Sequence, residues 1–128
     1  MARFTQLAQP VQSDEPRSRP IDLVYLAKNT AGNVELERDV LHMFDQVSRT
    51  YFSRIEATSN VGELCRTLGS LKGVATSIGA WGIAELAKEM EEELASGAAI
   101  DPERIEDLDW AVHEASEFIV RVLKDGLV

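Results

Sequence analysis

The sequence predicts an all-α protein, an antiparallel up-down-up-down four-helix bundle with a short extra helix at its N-terminal side. Apolar residues recur at spacings of three and four through most of the chain after residue 20, which is the period of amphipathic helices. The chain has no run of alternating β-branched residues and no Asn-Gly turn, so strands are not indicated. Residues that cap helices divide the apolar pattern into long helices with short connections, as in up-down bundles.

The composition argues against several classes of function. The 128 residues suffice for one domain with one core, and their formal net charge of −9 repels nucleic-acid phosphates and anionic membranes. Cys65 is the only cysteine, so we expect no internal disulfide, and no Cys/His cluster has metal-site spacing. The chain shows no signal-like segment and no apolar run of about 18 residues. We therefore expect a soluble, cytoplasmic monomer without metal or cofactor.

The chain is predicted to begin with a flexible arm over residues 1–20, because Pro10, Pro16 and Pro20 lie there among scattered polar residues. The helical domain is predicted over residues 21–128. Its first helix is short, begins after Asp22 as N-cap and ends near Gly32. We expect this helix to pack on one end of the bundle.

The second helix is predicted to begin after Asn33 and to fade near residues 57–60. Glu35 and Glu37 lie in its first turn, where the helix dipole favours negative charge. The spacing of its apolar residues predicts a single buried stripe. The members of that stripe are Leu36, Val40, Met43, Phe44, Val47 and Tyr51.

The third helix is predicted to be capped by Asn60, with Glu63 three residues later as in a capping box. It is predicted to end around Gly79, since glycine commonly follows the last turn of a helix. Its predicted buried stripe consists of Val61, Leu64, Leu68, Leu71, Ala75 and Ile78.

The fourth helix is predicted to begin near Ala80 or Ile83 and to end at Ser96, before Gly97. Its predicted buried residues are Ile83, Leu86, Ala87, Met90 and Leu94.

The last helix has Asp101 as its predicted N-cap and Pro102 at its first position, and Gly126 lies past its end. Its predicted buried residues are Ile105, Leu108, Val112, Ala115, Ile119 and Val122.

The third helix also contains two glycines one turn apart, Gly69 and Gly73. Each costs about 0.5–1 kcal/mol relative to alanine in a helix interior. On a wheel of about 100° per residue, a set of small residues falls opposite the buried stripe. Its members are Gly62, Gly69, Gly73, Thr76 and Ala80. This smooth strip predicts a surface where another protein can approach the helix backbone. The alternatives are that the N-terminal arm crosses the strip, or that the glycines are tolerated there without a role.

The same stretch resembles the histidine-containing phosphotransfer (HPt) family of two-component phosphorelays. The signature of that family is His-x-x-Lys-Gly on an outward helix face, followed by an Ile/Leu-Gly-Ala turn into the next helix. Lys72–Gly73 and Ile78–Ala80 match these two elements. The resemblance covers residues 21–125 as a helix pattern and is specific over residues 64–94. The residues that match the next helix of the family are Leu86, Ala87 and Glu91.

One residue departs from the signature, because the position three residues before Lys72 is Gly69. Glycine has no nucleophile to attack the aspartyl phosphate of a receiver domain. Ser70 is adjacent but points elsewhere on the wheel. His42 and His113 lie off the buried faces of their helices, and neither is followed by Lys-Gly. We interpret both as ordinary surface histidines.

The resemblance implies a protein that binds a receiver domain or a histidine kinase without carrying phosphate itself, and that is not an enzyme. One alternative is an active phosphotransfer protein whose acceptor has been mutated. Another is a helical oligomerisation or adaptor module outside phosphorelays, in which Gly69 and Gly73 contact a second bundle. The predicted partner-binding residues are Gly62, Cys65, Arg66, Gly69, Ser70, Lys72, Gly73, Thr76, Ser77 and Ala80.

Three features near this strip have simpler interpretations. Cys65 is predicted to be a half-buried small apolar residue. Lys72 is a solvated lysine on an exposed face, or a cation that meets the acidic pocket of a receiver domain. The acidic run over residues 88–94 is predicted to be a solvated helix face.

Overall fold

The computed structural model describes residues 19–126, so nearly all of the predicted arm lies outside the described residues, as do residues 127 and 128. Within residues 19–126 the structure has helices and no strand, which confirms the all-α prediction. None of these helices is both long and apolar enough to cross a membrane. The helices are α1 (Leu23–Asn29), α2 (Val34–Ala57), α3 (Val61–Ile78), α4 (Trp81–Ala95) and α5 (Pro102–Asp125).

The helices α1, α2, α3 and α5 begin where the sequence predicts, because side chains satisfy backbone N–H groups that have no partner in the first turn. The Asn60 side chain accepts a hydrogen bond from the backbone N–H of Glu63 at 2.8 Å. Asp101 caps α5 in the same manner, with Pro102 at the first helical position. Asp22 and Asn33 cap α1 and α2. The predicted N-caps Asp22, Asn60 and Asp101 are confirmed, and so is the predicted start of α2 after Asn33.

The long helices pack in a closed ring, in which α2 contacts α3, α3 contacts α4, α4 contacts α5 and α5 contacts α2. Consequently α3 and α5 lie diagonally across the bundle. The short α1 packs on α3, where the Asn29 side-chain amide donates to the Ser77 carbonyl near the C-terminal end of α3. The predicted place of α1 is confirmed, and the up-down-up-down order of the long helices stays a prediction.

The core confirms most of the predicted stripes on α3, α4 and α5. Leu68, Leu71 and Ala75 of α3 are fully buried. The exceptions are Val61, which is exposed in the first turn of α3, and a set of residues that are only half-buried against the core. These half-buried residues are Leu86, Leu94 and Ile105.

The buried stripe of α2 differs from the predicted one. Leu36 and Met43 are 44% and 52% exposed, because α2 carries two apolar stripes about 100° apart on the wheel, and the bundle covers the other one. The prediction was therefore wrong for Leu36 and Met43, while Val40, Val47 and Tyr51 are half-buried. The buried side chains of α2 include Leu41, Phe44, Phe52 and Ile55.

The corner between α3 and α4 is held by α1. Gly79 ends α3 in the left-handed conformation, with φ 82°, and its carbonyl accepts a hydrogen bond from the backbone N–H of Asp22 at 2.9 Å. The Trp81 indole donates to the Asp22 carboxylate at 3.1 Å. The Tyr25 and Trp81 rings meet edge to face, with centroids 4.8 Å apart. These contacts fix the direction in which α4 leaves α3.

Ala80 lies inside this corner and is completely buried. Its predicted place on the outward strip is therefore wrong. The wheel extends α3 past its last residue, Ile78, but the left-handed backbone at Gly79 breaks the helical rotation. The chain turns inward there, and Ala80 becomes the N-cap of α4.

Candidate functional site

The outward face of α3 lies between α2 and α4. Its exposed positions are Gly62, Arg66, Ser70, Gly73, Thr76 and Ser77, and its half-buried positions are Cys65, Gly69 and Lys72. Apart from Ala80, the predicted site residues therefore reach the surface of this one helix. The predicted half-buried state of Cys65 is confirmed.

Gly69 is covered by a side chain from α4. A Cβ atom at position 69 would lie 3.1 Å from Oε2 of Glu91, so the Glu91 carboxylate occupies the space that a side chain at this position would enter. The other carboxylate oxygen, Oε1, lies 2.7 Å from Nζ of Lys72. The half-buried ion pair thus closes over Gly69 and ties α3 to α4.

Gly73, one turn later, is uncovered. A Cβ atom at position 73 would meet no atom within 4 Å, and the residue is exposed. Because no side chain stands on the backbone here, another protein can approach α3 more closely at Gly73 than at any residue bearing a side chain.

The hydroxyl groups next to Gly73 are already occupied within the helix. Thr76 Oγ1 donates to the Lys72 carbonyl at 2.8 Å, and Ser77 Oγ donates to the Val74 carbonyl at 2.7 Å. Bonds of this kind to the preceding turn are common for Ser and Thr in helices. Both hydroxyl oxygens keep lone pairs that can accept hydrogen bonds from an incoming group.

The charge of this face differs from that of the whole chain. The single acidic residue of α3 is Glu63, and its carboxylate accepts a hydrogen bond from the Thr58 hydroxyl at 2.8 Å, away from Gly73. The charges nearest the glycines on α3 are those of Arg66 and Lys72. On a chain with net charge −9, α3 itself is poor in negative charge, although the Glu91 carboxylate of α4 reaches over Gly69 and pairs with Lys72.

The α2 flank adds apolar surface to the face. Tyr51 lines a shallow depression together with Arg66 and Ser70 of α3, which shows that the Tyr51 side of α2 faces α3. Leu36 and Met43 belong to the same stripe of α2 and are exposed. The exposed part of the predicted stripe, Leu36 and Met43, therefore lies on the α3 side of α2, while Val40 and Tyr51 of the same stripe pack against the core.

The acidic run on α4 is more than a solvated face, which corrects the prediction for residues 88–94. Arg104 of α5 binds Glu93 at 2.6 Å and Glu89 at 2.8 Å. The hydrogen bond to Glu93 raises the pKa of the Arg104 guanidinium above its ordinary value. Glu91 is engaged separately by Lys72. Alternate acidic residues of α4 thus hold the helix to its two neighbours.

The two histidines lie away from α3. His42 is exposed on α2, and His113 is exposed on α5, where its Nε2 lies 3.3 Å from the Glu117 carboxylate. Both are surface residues, as predicted. Among residues 19–126, no three His, Cys, Asp or Glu side chains cluster so that they could hold a metal ion.

Sequence reasoning missed the role of Glu91 over Gly69. Glu91 was assigned to the match with the family pattern and to the acidic run, but not to a contact with α3. The separation of Gly69 and Glu91 in the sequence does not predict that they are in contact, because the contact depends on the rotation of α4 about its own axis. The spacing of Glu91 from the buried Ala87 and Met90 was the available signal, since it places Glu91 beside the core.

The fold and this face define an all-α helical-bundle protein with a small-residue surface on α3. Comparison with protein-family models matches the Hpt domain over residues 29–121, most of the chain. Comparisons with curated proteins and with solved structures give no match. The chain belongs to the Hpt domain family, whose members are phosphotransfer carriers of two-component phosphorelays and interact with receiver domains and histidine kinases.

Proposed function

We propose that this protein binds a receiver domain or a histidine kinase through the outward face of α3 and does not carry phosphate itself. The observation that carries the proposal is the state of position 69. The resemblance places the acceptor histidine there, but the residue is glycine, and the Glu91 carboxylate fills the space in front of it. A phosphoryl carrier needs a nucleophilic side chain at that place.

The rest of the face supports docking. Gly73 leaves the helix backbone open, and Arg66 supplies positive charge, while the charge of Lys72 is paired with Glu91. The exposed Leu36 and Met43 supply apolar surface. An interface needs apolar area at its centre and complementary charge to select the partner. The α3 face has both, although the Glu91 carboxylate fills the space in front of Gly69.

The oligomerisation alternative has less support. A contact between two bundles through Gly69 and Gly73 needs an uninterrupted groove of small residues. The Glu91 carboxylate lies over Gly69 and pairs with Lys72, so the groove is filled at one of its two glycines. A solution mass corresponding to a dimer that is lost in Gly73→Leu would favour this alternative over receiver binding.

The first prediction is that the unmodified chain takes no phosphate from a phosphorylated receiver domain, because position 69 has no imidazole. The measurement mixes the chain with a panel of labelled phospho-receivers and follows the label by gel, with an active Hpt protein as the positive control. Binding to the same receivers is measured in parallel. Acid-labile label on His42 or His113 would contradict the prediction.

The second prediction is that Gly73→Ala stabilises the fold and weakens receiver binding. The free energy of unfolding should rise by about 0.5–1 kcal/mol, since the methyl group meets no atom and the unfolded chain loses freedom. The same methyl group stands where a partner approaches.

Gly82→Ala is the matched control, because its Cβ also meets no atom within 4 Å and it lies on the side of α4 that carries Glu89, away from α3. Thermal or denaturant unfolding and receiver titration of both variants make the comparison. Weaker receiver binding in Gly82→Ala, or a lower unfolding free energy in Gly73→Ala, contradicts the assignment of the docking face.

A further inference from the structure

The outward face of α5 carries an exposed tryptophan. Trp110 is 64% exposed, the largest exposed fraction among the large apolar side chains of residues 19–126. Tryptophan is highly buried on average in folded proteins. It is also enriched among the residues that anchor protein interfaces.

Trp110 is surrounded by carboxylates. At helical spacing, the residues within two turns of it on the same face include several acidic side chains, and all of them are exposed. They are Glu103, Glu106, Asp107, Glu114 and Glu117, and the exposed His113 lies on the same face at the same spacing. The indole therefore lies at the centre of a negatively charged surface.

Most of these carboxylates lack the cationic partners that the acidic residues of α4 have. The exception is Glu117, which lies 3.3 Å from Nε2 of His113. In the described part of the chain, no basic side chain forms an ion pair with Glu106, Asp107 or Glu114, whereas Glu91 pairs with Lys72. Like charges three or four residues apart cost a few tenths of a kcal/mol each on a helix. The α5 face thus carries a repulsion that an external cationic group would relieve.

We propose that the Trp110 face of α5 binds a segment of another protein that is rich in arginine and lysine. Cationic side chains bind to the face of an indole, and the surrounding carboxylates complement their charge and direct their approach. The same carboxylates repel nucleic-acid phosphates and anionic membranes. The partner is therefore a basic polypeptide.

Two occupants from the chain itself fit this chemistry poorly. Residues 1–18 contain Arg3 and Arg17 but also Asp14 and Glu15, so the two charges of each sign cancel. A second copy of the chain brings a net charge of −9 to a face that is already negative. The basic partner is consequently a different protein.

The position of the face gives it a role separate from that of α3. Because α3 and α5 lie diagonally across the bundle, a protein on the α3 face and a basic segment on α5 can bind at the same time. The chain then connects two partners. This inference does not depend on the identity of the partner at α3.

The test uses a short peptide of alternating arginine and alanine as the probe, with alternating glutamate and alanine as its control, at low ionic strength. Binding to the full chain is followed by tryptophan fluorescence and by backbone amide shifts. We expect the arginine peptide to bind, with the largest shifts between residues 103 and 117. Trp110→Ala should weaken that binding about 3- to 10-fold, the loss expected from one cation–π contact with its buried area.

Val120→Ala is the matched control, because Val120 is also exposed on α5 but lies about three turns beyond Trp110. It should leave the affinity unchanged. Amide shifts centred on α4, equal affinity of Trp110→Ala and the parent, or no binding at low salt would overturn the proposal. So would a dimer in solution that dissociates in Trp110→Ala, or amide shifts between residues 103 and 117 in Arg17→Ser without peptide.

Discussion

Gly69→His is expected to give a protein that accepts phosphate from a phosphorylated receiver domain, an activity for which the parent has no nucleophile. Lys72 is three residues further on, within reach on the same helix surface, and Gly73 leaves room for the partner. Histidine is a better helix former than glycine. The new Cβ meets only the end of the flexible Glu91 side chain, at 3.1 Å, so a small shift of that carboxylate admits the imidazole.

The measurement follows label from phospho-receivers that bind the parent, and checks that the transferred label is acid-labile. Ser70→His is the matched control, because it adds the same imidazole one residue away on an exposed position that faces the α2 side. Phosphoryl transfer requires near-attack geometry, so Ser70→His should stay unlabelled.

A second variant isolates the effect of the carboxylate. Gly69→His combined with Glu91→Gln removes the negative charge beside the imidazole and keeps the shape of the side chain. If Gly69→His alone takes no label but the double variant does, displacement of the Lys72–Glu91 pair limits the reaction. If neither variant takes label from any receiver that binds the parent, the α3 face lacks more than the acceptor histidine. The claim that only the nucleophile is missing would then be wrong.

Gly79→Ala is expected to lower the free energy of unfolding by about 2–4 kcal/mol, the largest loss among the glycine variants of α3 and its end. The backbone at Gly79 has φ 82°, and a left-handed conformation costs a residue with a Cβ roughly 1–2 kcal/mol. The added Cβ would also lie 2.9 Å from Cβ of Asp22 and 3.1 Å from the Asp22 carbonyl oxygen. Since Asp22 belongs to the α1 anchor, either α1 or the corner must move.

Chemical denaturation of Gly79→Ala and Gly73→Ala compares their free energies of unfolding. Both variants add one methyl group, one at the end of α3 and one within it. The two variants should shift stability in opposite directions. Gly79→Asn serves as a second control, because asparagine tolerates the left-handed region better than alanine but is larger, so it separates backbone strain from crowding. An unfolding free energy of Gly79→Ala equal to that of the parent would show that neither the left-handed backbone at Gly79 nor its contact with Asp22 is formed in solution.

Much of the helical framework was predictable because its signals are local. An N-cap side chain bonds a backbone N–H two or three residues away, so Asn60 and Asp101 mark helix starts whatever surrounds them. Gly79 and Gly126 mark helix ends for a similar reason, through backbone conformations that favour glycine. The Lys72–Gly73 pair and the turn after it were equally visible, and the family match confirms the relationship they indicated.

The errors share one cause. A helical wheel describes one helix and gives no information on the helices that pack against it. For α2, the stripes through Met43 and through Leu41 both satisfy helical spacing, and only the rotation of α2 against α3 and α5 buries the second. Ala80 was misplaced because a wheel continues past a break in the backbone. The sequence analysis makes no prediction for Trp110, since the sequence of α5 does not show whether another helix covers that side chain.

The sequence by itself determined where the helices of this protein begin and end, its relationship to the Hpt family, and the absence of a side chain at position 69, because each is a property of one residue or of a few neighbours along the chain. Tertiary structure alone decided what surrounds that position. The contact of Glu91 with Gly69 and Lys72, and the exposure of Leu36, Met43 and Trp110, depend on how each helix is rotated and set against the next. That rotation is fixed by the packing of all the buried side chains together.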